Sequence, residues 1–98
     1  MATFYTIIRR MGLNITKLTK IANQIRKDVL TISFLGNIGH IGSALSVVDI
    51  ITGLYFACVQ VYPKQPQHSL RDRIILSKGH ACAALYSALF HKGFFSKA

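Results

Sequence analysis

The chain has 98 residues, of which 51% are hydrophobic and 15% are charged, and its formal net charge is +9. This length is that of one small domain, and a domain of this size buries only about 60–65% of its unfolded surface. Because so few residues are charged, we expect much apolar surface, covered in part by something outside the chain.

The chain begins with a stretch, residues 1–13, whose hydrophobic residues follow no clean period. It lacks acidic residues, as targeting peptides do, but no hydrophobic core long enough for a signal sequence follows, so we predict a poorly ordered lead-in. The remaining residues, 14–98, are predicted to form one domain. Asn14 can cap its first helix, which we expect from residue 15 to residue 33 because apolar residues recur there every three or four positions.

One stripe of this first helix is basic. Lys17, Lys20, Gln24 and Lys27 fall on it, with Arg26 beside them. Such a stripe could follow a nucleic-acid backbone, but no aromatic or groove-reading motif accompanies it, so we expect a solvated helix face and no nucleic acid. An acidic partner or a phosphorylated small substrate would also suit the positive charge.

A second helix is predicted to reach Val59, with Ser43 or Ser46 as its cap. Apolar residues surround nearly its whole circumference, which indicates a buried helix. The stretch 45–62 also approaches the length of a membrane span, about 20 apolar residues. Asp49 disfavours a membrane, because a carboxylate at the centre of a span costs roughly 2.5–3.5 kcal/mol.

The two cysteines give information about the compartment. Cys58 and Cys82 lie in apolar helical patterns and have no metal or redox spacing. We therefore expect reduced thiols in the core and a cytoplasmic protein.

The last third of the chain is predicted to contain a strand and a helix. Two prolines break the helical pattern after residue 62, and the apolar run 73–77 is the one convincing strand. The final helix is expected from His80 to Gly93, with alanines that allow a close approach to a neighbouring helix. A single apolar strand cannot pair its backbone groups alone. We therefore expect an α/β fold that is mostly helical as it stands, with three helices and one strand, and incomplete.

Two turns in this plan each place a histidine beside a glycine at the start of a helix. They are Gly39-His40-Ile41-Gly42-Ser43 and Ser77-Lys78-Gly79-His80-Ala81. In open α/β sheets the turn between a strand and a helix is where ligands bind, and an imidazole there can exchange protons near neutral pH. From the residues alone, the favoured explanations are a loop histidine at 40 that bonds local backbone and an ordinary helix-start residue at 80. Lys78 could approach a phosphate or remain solvated, and His68 and His91 are expected to be ordinary surface residues.

These motifs, taken together over residues 15 to 96, resemble the amino-terminal segment of transketolase, in particular the short form that begins a separate thiamine-diphosphate-binding subunit. The specific part is the string Asp-Arg-Ile-Ile-Leu-Ser-Lys-Gly-His-Ala at 72–81, because its order and its distance from the first Gly-His agree. The resemblance extends to the segments Gly39-His40-Ile41-Gly42-Ser43-Ala44-Leu45-Ser46, Asp49-Ile50, Leu54-Tyr55-Phe56, Leu85-Tyr86 and Lys92-Gly93-Phe94-Phe95. Deoxyxylulose phosphate synthase shares the Gly-His turn but fits the second string less well.

The resemblance implies roles for two residues. His40 would face the sugar substrate and handle protons on its hydroxyl groups, and His80 would lie beside the bound thiamine diphosphate. The parent reaction is the transfer of a two-carbon ketol unit from a ketose phosphate to an aldose phosphate. Ser43, Ala44 and Ile38 depart from the usual residues of the first turn, which leaves the pose of His40 open.

The resemblance also implies partners. In this family a Gly-Asp-Gly segment and a downstream asparagine hold Mg²⁺ and the diphosphate, and they come after the second motif. We expect no metal ligands in this chain, and we expect the remainder of the domain, together with a pyrimidine-binding domain or subunit, to complete the site in a homo- or hetero-oligomer. The chain alone is expected to be inactive. An alternative is a small basic binding or scaffold protein that docks its apolar helices on a partner.

Overall fold

In the computed structural model, residues 14–36, 39 and 41–96 can be described, and they are mostly helical. The elements in chain order are helix α1, Ile15–Leu35; helix α2, Ile41–Leu45; helix α3, Val48–Gly53; a π-helical turn, Leu54–Cys58; a 3₁₀ turn, Gly79–Ala81; and helix α4, Cys82–Lys92. The predicted lead-in, residues 1–13, lies outside the described residues.

The two ends of α1 show why the sequence predicted this helix well. The side-chain oxygen of Asn14 accepts the backbone N–H of Lys17 at 3.1 Å, which satisfies one of the free donors of the first turn. At the other end the N–H of Gly36 donates to the carbonyl of Ile32, so the helix ends at Leu35, two residues later than expected. The lysines of the basic stripe are exposed to solvent, as predicted.

The prediction of one continuous second helix was wrong. The chain leaves the helical conformation at Ser46 and Val47 and resumes it as α3, which then widens into the π-helical turn. Neither predicted cap acts as one, because Ser43 lies inside α2 and the hydroxyl of Ser46 donates to the carbonyl of Ser43. This segment is also not buried all around, because Asp49 and the residue after it are exposed to solvent.

The segment Ile41–Cys58 has the length and the apolar composition that would suffice to cross a membrane, and 28% of it is buried inside the protein. A core helix of a soluble protein can meet the same criterion. Asp49 lies in the middle of this segment and pairs with Arg26 of α1, with 2.5 Å between the guanidinium nitrogen and the carboxylate oxygen.

The core lies where α1 packs against α4, with α2 and α3 beside them. Each of these helices contributes buried side chains, and those of α4 are small, as the sequence predicted. The buried apolar residues are Ala22, Ile25, Val29, Ala44, Val48, Ile51, Tyr55, Ala81, Ala83, Ala84 and Ala88. Burial raises the pKa of the Tyr55 phenol, since the low-dielectric core disfavours its ionised form.

The end of α4 also matches the prediction. Gly93 has φ +104°, a left-handed conformation that suits glycine, and its N–H donates to the carbonyls of Leu89 and Phe90. Ending a helix in this way satisfies carbonyls of the last turn that would otherwise be unpaired.

The prediction of a strand at residues 73–77 needs correction. Within the described residues the run 73–77 pairs with no other strand. Its side chains nevertheless alternate as in a strand, since Ile74 and Leu76 pack against the core while Ile75 between them is 88% exposed. The physical reason is that a strand needs a second strand to pair its backbone N–H and C=O groups.

The cysteine prediction is confirmed in one respect and wrong in another. Cys58 and Cys82 are both free thiols, but Cys58 is exposed and Cys82 only partly buried. The π-helical turn shifts the register of its last residues relative to an α-helix, so the apolar spacing that placed Cys58 in the core does not apply there.

The connection between the π-helical turn and residue 73 is closed by a pair of hydrogen bonds. The N–H of Gln60 donates to Oδ2 of Asp72 at 2.7 Å, and the N–H of Asp72 donates to the carbonyl of Gln60 at 2.8 Å. Asp72 therefore holds together the two ends of this connection, 12 positions apart, directly before the segment that leads to His80.

We expect Asp72→Ala to lower the free energy of unfolding by about 1 kcal/mol, because the N–H of Gln60 loses its acceptor at a solvent-exposed site. Chemical denaturation followed by circular dichroism measures the change. Asp72→Asn keeps a carbonyl oxygen at this position and serves as the matched control. A loss with asparagine as large as that with alanine would show that the charge, and not the acceptor, stabilises the connection.

Candidate functional site

The second glycine–histidine turn lies at the start of α4. The N–H of Ala81 donates to the carbonyl of Lys78 at 3.0 Å and the N–H of Cys82 to the carbonyl of Gly79, which forms the 3₁₀ turn. Ala81 is fully buried and anchors the turn on the core, while His80 is exposed. The imidazole is thus carried at the surface by a backbone that is fixed from below.

The start of α4 has a chemistry of its own. Its N-cap position, Ala81, offers no side-chain acceptor, and no acidic residue lies in its first turn. The N–H of Cys82 already donates to the carbonyl of Gly79, while the helix start as a whole carries a partial positive charge from its aligned backbone dipoles. This end of α4 is therefore suited to an anionic group.

The first glycine–histidine turn lies directly before α2. His40 itself is outside the described residues, so its predicted place in the site stays a prediction. Gly39 and Gly42 on either side of it are exposed.

The glycines of both turns face open space. A Cβ atom built on Gly39, Gly42 or Gly79 would meet no other atom within 4 Å, and none of the three has a positive φ. Neither the backbone conformation nor packing within the described residues therefore requires glycine at these positions. A requirement for glycine would have to come from something that approaches the turns from outside.

The structure brings the two turns together. Helix α2 packs against the 3₁₀ turn Gly79–Ala81, although about forty residues separate them in the sequence. Two hydrogen bonds in a row connect them through Ser46, which directly follows α2: Nζ of Lys78 donates to Oγ of Ser46 at 2.7 Å, and this hydroxyl donates to the carbonyl of Ser43 in the first turn. Lys78 is exposed, but its ammonium group has a partner within the chain, so it is not a freely solvated lysine; its approach to a phosphate stays a prediction.

The charge around the turns is positive or neutral. The chain has three acidic residues, and each is engaged elsewhere. Asp28 of α1 accepts a hydrogen bond from a side chain of α4, and Asp49 pairs with an arginine of α1. Asp72 closes the connection that follows the π-helical turn. None of these contacts involves Lys78 or the first turn of α4, and the excess of positive charge favours a negatively charged ligand.

No group of three His, Cys, Asp or Glu side chains that could hold a metal ion is found in the described part of the chain. The acidic residues are too few and too far apart in the fold for the oxygen-rich coordination that Mg²⁺ prefers.

The prediction for His91 was wrong, since it is not an ordinary surface residue. Its Nε2 lies 2.7 Å from Oδ2 of Asp28, and the same oxygen accepts the hydroxyl of the buried Ser87 at 2.7 Å. This cluster fastens α4 to α1 and lies apart from the two turns. No pattern in the sequence indicates it, because the carboxylate is 63 residues away from the histidine.

His68 also differs from its prediction. It is half-buried, its ring stacks on that of Tyr62 with 3.9 Å between centroids, and its Nδ1 accepts the backbone N–H of Leu70. These contacts stabilise the connection between residues 59 and 72, so His68 has a structural role.

Comparison with known proteins identifies similar domains. The family described as transketolase, thiamine diphosphate binding domain, matches residues 18–97. An apulose-4-phosphate transketolase subunit of Phocaeicola vulgatus is 43% identical over 72 residues, which are 74% of this chain and 26% of that protein. The 6-deoxy-6-sulfo-D-fructose transketolase subunit SqwG of a Clostridium species is 45% identical over 76 residues, or 76% of this chain and 27% of that protein.

Human transketolase is 31% identical over 77 residues, which are 79% of this chain and 12% of the human protein. The chain thus spans about a quarter of the length of the two bacterial relatives and a smaller part of the human enzyme.

Proposed function

The chain belongs to the family of transketolase thiamine-diphosphate-binding domains, and on this premise we propose that it supplies the two histidine turns of a transketolase-type active site. The reaction is the transfer of a two-carbon ketol unit from a ketose to an aldose. The observation that carries the proposal is the packing of the two glycine–histidine turns against each other, with open space beside their glycines.

The residues present fit one side of a bound diphosphate. His80 is exposed at the start of α4, and that helix has neither a side-chain cap nor an acidic residue in its first turn. We propose that His80 donates a hydrogen bond to a diphosphate oxygen and that the partial positive charge of the helix start attracts the diphosphate. Thiamine diphosphate supplies the stabilised carbanion when it is bound.

His40 is proposed to act on the sugar. A neutral imidazole can accept a proton from a ketose hydroxyl and return it to a product hydroxyl near neutral pH. In this division of labour His80 holds the cofactor and His40 moves protons on the substrate.

Other parts of the site are proposed to come from outside this chain. Mg²⁺ and the far side of the diphosphate would be held by a further part of the domain, and the pyrimidine ring by a second domain or subunit. The added chain would also provide the strand that residues 73–77 lack, which completes an α/β parallel sheet. Two relatives, from Phocaeicola vulgatus and Actinobacillus succinogenes, are named as one subunit of a transketolase, which supports an enzyme of more than one subunit.

The substrate class and location follow from the charge and the thiols. The names of the two bacterial relatives contain a phosphate sugar and a sulfo sugar. A net charge of +9 would attract such anionic sugars, and we propose a phosphorylated ketose and aldose as substrates. The free cysteines suit a reducing, cytoplasmic location.

Titration calorimetry with thiamine diphosphate and Mg²⁺ tests the shared site. We expect no sub-micromolar binding by the 98-residue chain alone, because it offers one side of the diphosphate only. A chimera in which residues 18–97 replace the matching segment of the Phocaeicola vulgatus relative is expected to bind the cofactor, with its partner subunit present.

Two outcomes would contradict the proposal. Sub-micromolar binding by the chain alone would mean that the site is not shared. A folded chimera that binds no cofactor, while the unaltered relative binds it under the same conditions, would mean that these turns are not part of a cofactor site.

A further inference from the structure

We propose that Lys78 and Ser46 are positioning residues that hold the two histidine turns in a fixed register. This inference rests on the proposed function, in which His40 and His80 serve one cofactor and one substrate. Neither Lys78 nor Ser46 is assigned a contact with the cofactor or the sugar.

The link consists of three groups in a row. Nζ of Lys78 donates to Oγ of Ser46 at 2.7 Å, and Oγ of Ser46 donates to the carbonyl of Ser43 at 2.9 Å. The hydroxyl therefore accepts on one side and donates on the other, which fixes its orientation. A lysine side chain has many rotamers in solvent, and this one ends on a serine that follows α2 and bonds back to Ser43 of the first turn.

Packing alone would not fix the register between the turns. The buried contacts in this region come from alanines, Ala44 of α2 and Ala81 of the 3₁₀ turn. Apolar contact is non-directional, and small side chains have little shape with which to resist sliding. The glycines Gly42 and Gly79 have no side chain to add to this packing, and a Cβ atom built on either would meet nothing within 4 Å.

A hydrogen bond has a preferred distance and angle. The lysine–serine link is a directional contact between the two turns, and it connects residues 32 positions apart. Lys78 precedes His80 by two residues, and Ser46 directly follows the helix that begins after His40. Movement at either end of the link is therefore passed to the other histidine turn.

Amide hydrogen exchange on the full 98-residue chain measures the coupling without cofactor. Ser46 reports on the first turn, because its N–H donates to Gly42, and Ala81 reports on the second, because its N–H donates to Lys78. We expect Ser46→Ala and Lys78→Met each to increase exchange at both amides by roughly three- to tenfold, the loss of one net hydrogen bond. The double variant should exchange no faster than either single one.

The imidazole resonances supply a second measurement. Ser46→Ala is expected to shift the ring signals of His80, and Lys78→Met those of His40, although each substitution lies in the other turn. Lys78→Arg and Ser46→Thr keep a donor and a hydroxyl and should restore both signals. Lys64→Met removes the same charge from an exposed position of the 59–72 connection and should change neither.

Effects confined to the turn that carries the substitution, or effects that add in the double variant, would overturn the positioning role. Exchange of both reporter amides in the unaltered chain at the rate of an unfolded peptide would overturn it as well, because neither turn would then be held. These outcomes are separate from failure of the proposed function, which is decided by cofactor binding in the chimera.

Discussion

Replacing Ile25 by alanine is expected to destabilise the chain by about 2–5 kcal/mol, the range for removing a large aliphatic side chain from a core. Ile25 is 0% exposed and lies in the middle of α1, on the face that meets the other helices. The loss combines the transfer of apolar atoms to water with the cavity left among neighbours that cannot all move inward.

The expected effect is large in relation to the whole. A domain of this size has a free energy of unfolding of about 5–15 kcal/mol, and this chain leaves several large apolar side chains in solvent. Phe34, Leu35 and Ile75 are each more than three-quarters exposed. We therefore expect the Ile25→Ala chain to be partly unfolded at room temperature, as measured by urea denaturation followed by circular dichroism.

Ile15→Ala is the matched control, because it removes the same atoms from the same helix at a position that is 64% exposed. Surface substitutions of this kind change stability by less than about 0.5 kcal/mol. Similar losses for the two variants would mean that α1 does not pack in solution as it does in the structure.

Features that depend on neighbouring residues were predicted correctly from the sequence. The cap at Asn14 involves residues three positions apart, and Gly93 ends α4 through carbonyls of the preceding turn. The alanines of α4 were also predicted to allow close packing, since their spacing places them on one face. In each case the determining interaction lies within one or two helical turns.

The prediction of one continuous second helix was wrong for a local reason that the apolar pattern does not show. An unbroken apolar run predicts a continuous helix, yet the chain bends at Ser46, whose hydroxyl bonds back to Ser43. Serine can offer such a bond in competition with the helical backbone. The strand prediction was wrong for a non-local reason. Its backbone groups need a second strand as a partner, and the described residues do not contain one.

The candidate site divides in the same way. The two Gly-His turns are sequence motifs and were predicted. The hydrogen bond from Lys78 to Ser46 connects residues 32 positions apart, and no spacing of residues in the sequence indicates it. Likewise nothing near His91 indicated that it would meet Asp28. Contacts between distant polar side chains are fixed by the fold, and composition or periodicity gives no information about their pairing.

Substituting the two histidines separately is expected to divide catalysis into its two parts. In the chimera with the Phocaeicola vulgatus relative, His40→Ala should lower kcat by about 10²- to 10⁴-fold, the usual contribution of a positioned acid–base group, and leave the Kd for thiamine diphosphate unchanged. His80→Ala should raise that Kd by roughly 10- to 100-fold, the loss of a hydrogen bond to a charged group. Calorimetry and steady-state turnover of a ketose phosphate measure the two quantities.

The effect expected for His80→Ala follows from the position of His80. His80 is carried by the start of α4, which has neither a side-chain cap nor an acidic residue in its first turn and so suits an anion, and a residue that binds the ground state and the transition state equally changes affinity more than kcat. His68→Ala is the control histidine, since its ring stacks on Tyr62 away from both turns, and it should alter neither quantity. If His40→Ala and His80→Ala both left turnover and cofactor affinity intact, the turns would not form an active site, and a scaffold protein with docked apolar helices would become the better interpretation.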